Sequence, residues 1–125
     1  MKVKIITSVD ISKSFRSGIG VKQGCPLSPT LFGLYIDKLE EWLNLQGGDG
    51  VRLGEFVIKL LLYADDLILI SKSAHGLQMH LYALEHFCRA IGMQVNTSKT
   101  KIMIFSNKRK QSRHTFYLKK KFLRK

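Results

Sequence analysis

Hydrophobic and polar positions along the chain change period from segment to segment, and each change marks an element. Lys2 to Thr7 alternate closely enough to predict a short strand. The stretch "SKSFRSGIGVKQGCPLSP" follows and ends in a helix start. Ser28 suits the N-cap and Pro29 the first helical position, where its missing N–H costs nothing. A helix is predicted over residues 29–45, with Leu31, Tyr35, Leu39 and Trp42 on one buried stripe. "QGGDG" at 46–50 reads as the turn that stops it. Its glycine spacing is not that of a phosphate loop, and no helix opening on Lys-Ser/Thr follows.

Residues 56–63 and 67–71 are rich in Ile, Leu and Val and predict two strands. Only Ala64-Asp65-Asp66 lies between them, so the pair is expected to be a tight hairpin with both aspartates at its tip. A second helix is predicted over 73–91, capped by Ser73 and stopped by Gly92. Its stripe is Leu77, Leu81, Leu84, Cys88 and Ile91, and Glu85 and Arg89 pair at i, i+4 on the wet side. Residues 93–95 and 101–105 predict two short strands around the turn "NTSK", and "HTFYLKKKFL" is strand-like again. There is no internal repeat. The pattern is α+β, helix–β-hairpin–helix–strand, a sheet layered against helices.

Charge divides the chain more sharply than hydropathy does. Residues 1–88 carry nine Lys/Arg and nine Asp/Glu; residues 89–125 carry twelve Lys/Arg and no acid, and so supply the whole formal charge of +12. A neutral body with a basic tail points to a polyanion, usually nucleic acid, although a solvated basic end has the same composition. The two cysteines, Cys25 and Cys88, form no metal spacing or disulfide framework, so an intracellular, reducing compartment is expected. The start "MKVKIITSV" has no signal-peptide core. The apolar run at 56–70 is too short to span a bilayer and is interrupted by Lys59, Asp65 and Asp66, so no membrane partner is expected.

Three stretches can carry chemistry. Asp65 and Asp66 are adjacent carboxylates in the greasiest part of the chain. At about 5 Å they would repel by roughly 3 kcal/mol at an effective dielectric near 20. A divalent cation would relieve that repulsion, and hard oxygens without His or Cys favour Mg²⁺ or Mn²⁺; an ordinary turn also accommodates Asp. "GVKQGCPLSP" offers Gly20 and Gly24 for close backbone approach, with Lys22 for charge and Gln23 for hydrogen bonding, ahead of a helix N-terminus. "GMQVNTSKTK" places Lys99 and Lys101 at a turn, where they are either phosphate contacts or solvated lysines. His75, His80, His86 and His114 make no i, i+4 metal pair and read as surface or half-buried histidines.

In this order, "GVKQGCPLSPTLF", "LLYADDLIL" and "GMQVNTSKTKIM" resemble the palm of reverse transcriptases, especially the non-LTR (LINE-type) retrotransposon enzymes, over residues 1–107. The resemblance implies a ferredoxin-like-derived partial polymerase palm without fingers or thumb. It implies RNA-directed DNA synthesis with two Mg²⁺ ions, an RNA template, a DNA primer and deoxynucleoside triphosphates. Asp65 would be the metal-binding carboxylate and Asp66 a supporting one. Tyr63 would lie under the primer end, Lys22, Gln23 and Gly24 along the incoming nucleotide and template base, and Lys99 near the triphosphate. Residues 108–125 would be a basic tail that starts an incomplete primer-grip hairpin. The family also uses an aspartate on a strand well upstream of "QGCPLSP", and Asp10 does not match it. The chain is therefore expected to be inactive alone and to need an upstream segment, which another chain could supply in trans. A second reading is a non-catalytic nucleic-acid-binding module or a retrotransposon relic, with Phe116, Tyr117 and Phe122 stacking on bases.

Overall fold

The computed structural model describes residues 2–18, 20–107 and 114–118, and the backbone of 121–123. The chain forms two compact units, Met1–Tyr35 and Ile36–Lys125.

In the first unit β1 (Lys2–Val3) pairs antiparallel with β2 (Phe15–Arg16), Val3 lying opposite Phe15. The strand predicted to reach Thr7 is thus shorter. Beyond Val3 only an isolated bridge between Ile6 and Ile11 continues the pairing. The turn at that bridge is held by its own side chains: Thr7 Oγ1 accepts from the Asp10 N–H at 3.0 Å, and the Asp10 carboxylate accepts from the Ile11 N–H at 2.7 Å.

The helix expected over 29–45 is two helices, α1 (Ser28–Ile36) and α2 (Leu39–Leu45), separated at Asp37-Lys38. Neither proline nor glycine marks the break. The expected stripe is corrected with it. Leu31 and Tyr35 are exposed, whereas Ile36, Leu39 and Leu43 are buried. In α2, Leu39 and Leu43 stand one turn apart on one face, and that face packs on the third helix.

The second unit continues with two hairpins. β3 (Val51–Leu53) pairs with β4 (Phe56–Ile58) across Gly54-Glu55, a hairpin the apolar pattern did not predict. β5 (Leu60–Tyr63) pairs with β6 (Asp66–Leu69). The predicted strand 56–63 is therefore divided at Lys59, one half serving each hairpin. Helix α3 (Ala74–Ala90) matches its prediction closely. Ser73 Oγ accepts from the Gly76 N–H at 2.9 Å, and Arg89 bonds Glu85 at 3.2 Å. Last come β7 (Phe116–Leu118) and β8 (Lys121–Leu123), which pair with each other.

α3 is the centre of this unit. Trp42 of α2 meets Phe87 edge-on, ring centroids 5.9 Å apart, and Leu84, Phe87 and Cys88 are buried. Leu81, Ile102, Phe116 and Leu118 form a cluster, flanked by Leu69, Leu77, Val95 and Ile104. Each such side chain contributes about 1.5–3 kcal/mol by leaving water. Residues 93–95 and 101–105, expected as strands, are irregular. They carry Val95, Ile102 and Ile104 to the core without joining a ladder, so burial rather than strand pairing explains their apolar alternation. Among the described residues each sheet has two strands, and no helix is long and apolar enough to cross a membrane.

Candidate metal and nucleotide site

The β5–β6 ladder runs Leu60 opposite Leu69, Leu61 opposite Ile68, Leu62 opposite Leu67 and Tyr63 opposite Asp66. The turn is therefore the two residues Ala64-Asp65, and Asp66 is the first residue of a strand rather than part of the tip. Since side chains alternate across a strand, Leu61, Tyr63, Asp66 and Ile68 share one face, and Leu60, Leu62, Leu67 and Leu69 share the other. The first face is open: Tyr63 is 84% exposed and Ile68 57%. The second reaches the core through Leu69. The like-charged pair is thus split by geometry. Asp65 stands in the turn and Asp66 on the open face beside Tyr63, both exposed.

Ala64 has φ +50°, a left-handed conformation for a residue with a Cβ. Two-residue hairpin turns need φ > 0 at one or both central positions; here it falls on the first alone, the type II′ pattern that favours glycine. The cost is about 1–2 kcal/mol, borne one residue from Asp65.

Lys99 lies in a turn built by Asn96. The Asn96 side chain accepts from the Ser98 N–H at 3.2 Å and the Lys99 N–H at 3.3 Å, and its carbonyl accepts from Thr100 Oγ1 at 2.8 Å. The backbone at Lys99 is thus fixed, and the side chain is exposed. Among the described residues no hydrogen bond or ion pair joins Lys99 to Asp65 or Asp66.

Lys22, Gln23 and Gly24 belong to the first unit and are exposed. Gln23-Gly24 is a turn, with Gly24 at φ +75°. The loop is tied across its base: the Lys22 carbonyl accepts from the Cys25 N–H at 3.3 Å and from Ser28 Oγ at 2.6 Å. The Leu27 N–H holds the Cys25 thiol below its ordinary pKa, with desolvation opposing and Ser28 and Lys22 adding to it.

Among the described residues no three His, Cys, Asp or Glu side chains gather as a metal site. The donors at the hairpin tip still suit one hard cation, because Mg²⁺ is commonly held by one or two carboxylates with waters and substrate phosphates completing the shell. The histidines supply no further ligands to this tip. His75, His86 and His114 are exposed, while His80, expected at or near the surface, is fully buried on α3.

Two residues near this site escaped the sequence reading. Asp49, within the "QGGDG" turn, accepts from Ser71 Oγ and from the Lys72 N–H at 3.1 Å, just after β6. His80 packs on Gly48. For His80 a signal existed, since it lies three residues after Leu77 and four before Leu84 on the buried stripe; for Asp49 there was none, because its partners are more than twenty residues away.

Residues 2–119 match the family model for reverse transcriptase (RNA-dependent DNA polymerase), and the chain belongs to that family. It is a reverse transcriptase region of the non-LTR retrotransposon type. It is 36% identical over 88 residues to the Retrovirus-related Pol polyprotein from type-2 retrotransposable element R2DM of Drosophila melanogaster, a match covering 70% of this chain and 8% of that protein. It is 41% identical over 81 residues to a Pol polyprotein from type-1 retrotransposable element R2 of Popillia japonica, covering 65% of the chain and 11% of that protein. A Nasonia vitripennis R2 Pol polyprotein is 34% identical over 98 residues, 77% of the chain and 9% of its own length. The chain thus spans about a tenth of the length of these curated relatives.

Proposed function

We propose that the chain is the palm segment of an RNA-directed DNA polymerase that adds deoxynucleotides to a primer 3′-hydroxyl on an RNA template. The observation that carries this reading is the β5–β6 hairpin, whose two-residue turn presents Asp65, with Asp66 beside it on the open face. Asp65 would hold a Mg²⁺ ion and Asp66 would support it. When bound, such ions stabilise the attacking and leaving oxygens of an in-line displacement. Tyr63, on the same face as Asp66, would carry the primer end. The Lys22–Gln23–Gly24 turn would meet the incoming nucleotide and template base, and Lys99 would neutralise triphosphate charge. The lysines and arginines after residue 88 would contact nucleic-acid phosphates, with the salt dependence such contacts bring.

A two-metal centre needs more carboxylate than this tip carries. A further aspartate, from another part of the same polyprotein or from a segment acting in trans, would complete it. By itself the chain is therefore expected not to extend a primer. The test is a chimera in which residues 2–119 replace the matching stretch of a retrotransposon Pol polyprotein. With Mg²⁺ it should extend a DNA primer on RNA, and Asp65→Asn should reduce extension to background. Extension that survives Asp65→Asn, or that the isolated chain performs as well as the chimera, would overturn the reading.

A further inference from the structure

The base of the β5–β6 hairpin is tied down on both arms. Lys59, just before β5, donates from Nζ to Asn44 Oδ1 of α2 at 2.8 Å. Its carbonyl accepts from the Ile70 N–H at 2.7 Å, one rung below the last strand pair. On the other arm, the Asp49 carboxylate accepts from the Ser71 hydroxyl and the Lys72 N–H. Ser71 Oγ in turn accepts from the Ser73 N–H at 3.2 Å, where α3 is capped. A single carboxylate thus joins the loop before β3, the end of β6 and the start of α3.

Asp49 reaches this place because three neighbouring positions have no side chain. A Cβ at Gly50 would lie 2.7 Å from the Ile58 carbonyl. One at Gly76 would overlap the Asp49 carboxylate, and one at Gly48 would overlap the His80 ring. Gly48, Gly50 and Gly76 are all buried. Partial desolvation pushes the Asp49 carboxyl up, but hydrogen bonds from Ser71, Ser73 and the Lys72 N–H outweigh it and hold the group below its ordinary value, so it is ionised at neutral pH.

We propose that Asp49 is a positioning residue: seated by Gly48, Gly50 and Gly76, it fixes Ser71 and Lys72 and thereby the base of the arm whose tip carries Asp65. A lone hairpin of short strands is marginal in water, and a metal-binding carboxylate at its end needs a fixed base. What the tip does rests on the metal-binding reading above; the clamp itself does not.

The test compares Asp49→Ala, Asp49→Asn and Ser71→Ala in the full chain by amide hydrogen exchange and by Mn²⁺-induced broadening of the Ala64–Asp66 amide signals. In Asp49→Ala, exchange at Leu69 and Ile70 should speed by about tenfold or more, the scale of a lost hydrogen bond to a charged group, while the α3 interior near Leu84 keeps its protection. Mn²⁺ broadening at the tip should weaken several-fold. Asp49→Asn, which keeps the acceptor oxygen, should restore most of both effects. If Asp49→Ala fails to fold, Ser71→Ala decides, and should loosen the end of β6 while leaving α3 protected. Unchanged hairpin exchange, or hairpin and α3 loosening together with no rescue by Asn, would overturn the clamp. If the unaltered chain shows no Mn²⁺ broadening at Asp65, the metal-binding reading fails and the exchange data still decide the clamp.

Discussion

The side-chain amide of Gln78 pairs with both backbone groups of Tyr117, donating from Nε2 to its carbonyl at 3.0 Å and accepting from its N–H at 3.0 Å. Gln78 on α3 therefore acts as a one-residue strand along β7. It fixes the register in which Phe116 and Leu118 enter the core on either side of Tyr117. Gln78→Ala should cost about 1 kcal/mol in urea unfolding, since two solvent-accessible hydrogen bonds are lost. It should also expose the Tyr117 amide to fast exchange. Gln78→Glu, which can accept but not donate, should fall between. An unchanged Tyr117 amide in Gln78→Ala would show that apolar burial alone docks the hairpin.

His80 is fully buried, and neither ring nitrogen has a hydrogen-bond partner among the described residues. Burial pushes its pKa below the usual imidazole value of 6.5; the nearby Gly48 carbonyl and Asp49 favour the charged form, and Lys59 opposes it. In the folded chain the ring therefore stays neutral where the unfolded chain already binds a proton. Stability is fully present above about pH 6.5 and declines as pH falls from there toward the depressed folded value. Asp49 adds to the loss in the same direction at more acid pH, below its ordinary 3.8. His80→Leu should flatten the slope that opens below about pH 6.5 in thermal melts, the side on which the lowered His80 pKa withdraws stability. At neutral pH it should be neutral or stabilising, because two unpaired polar atoms are removed. Gly48→Ala should destabilise by about 1–3 kcal/mol by forcing the ring aside.

Local signals were readable where one segment satisfies its own needs. Ser73 caps α3 at Gly76, Leu81, Leu84 and Cys88 of its stripe are buried, and Glu85 meets Arg89, each signal lying between residues three or four apart. The hairpin was readable too, but not its turn: apolar content alone does not tell whether Asp66 belongs to the tip or opposes Tyr63. The β3–β4 hairpin had a signal in Gly54, which has φ +61° in its two-residue turn, yet the run 56–63 looked like one strand because Lys59 is the only polar residue in it. The break at Asp37-Lys38 had none. Residues 101–105 carry a strand's alternation without a partner, since Ile102 and Ile104 answer to the core alone. The Asp49 clamp depends on contacts far apart in sequence, and a turn rich in glycine gives no hint of them.

The turn at Ala64 stores strain that a single substitution can release. Ala64→Gly removes the penalty of φ +50° but adds unfolded-chain freedom worth about 0.4–1 kcal/mol. The net change should lie between zero and about 1.6 kcal/mol of stabilisation. Ala64→Val should be destabilising by more than 1 kcal/mol, because a β-branched side chain tolerates this region least. Chemical denaturation of the three chains checks the order Gly, Ala, Val. An order with Val above Ala would mean that the turn adopts another conformation in solution, with Asp65 presented differently.

Asp65 and Asp66 are neighbours in sequence but not equivalent in place, and the difference is measurable. Asp66 is held in a strand pair with Tyr63, while Asp65 belongs to the turn. A cation bound mainly by Asp65 should be lost in Asp65→Asn, so that Mn²⁺ no longer broadens the Ala64 and Asp65 amides at any concentration that leaves the rest of the chain unaffected. Asp66→Asn should weaken the effect without abolishing it, since it removes a neighbouring charge and leaves the main ligand. It should also stabilise the hairpin slightly, by relieving repulsion between two exposed carboxylates. Equal loss in both variants would mean that the two aspartates bind as a pair. Retention in Asp65→Asn with loss in Asp66→Asn would place the ion on the open face beside Tyr63 and move the proposed metal position from the turn to the strand.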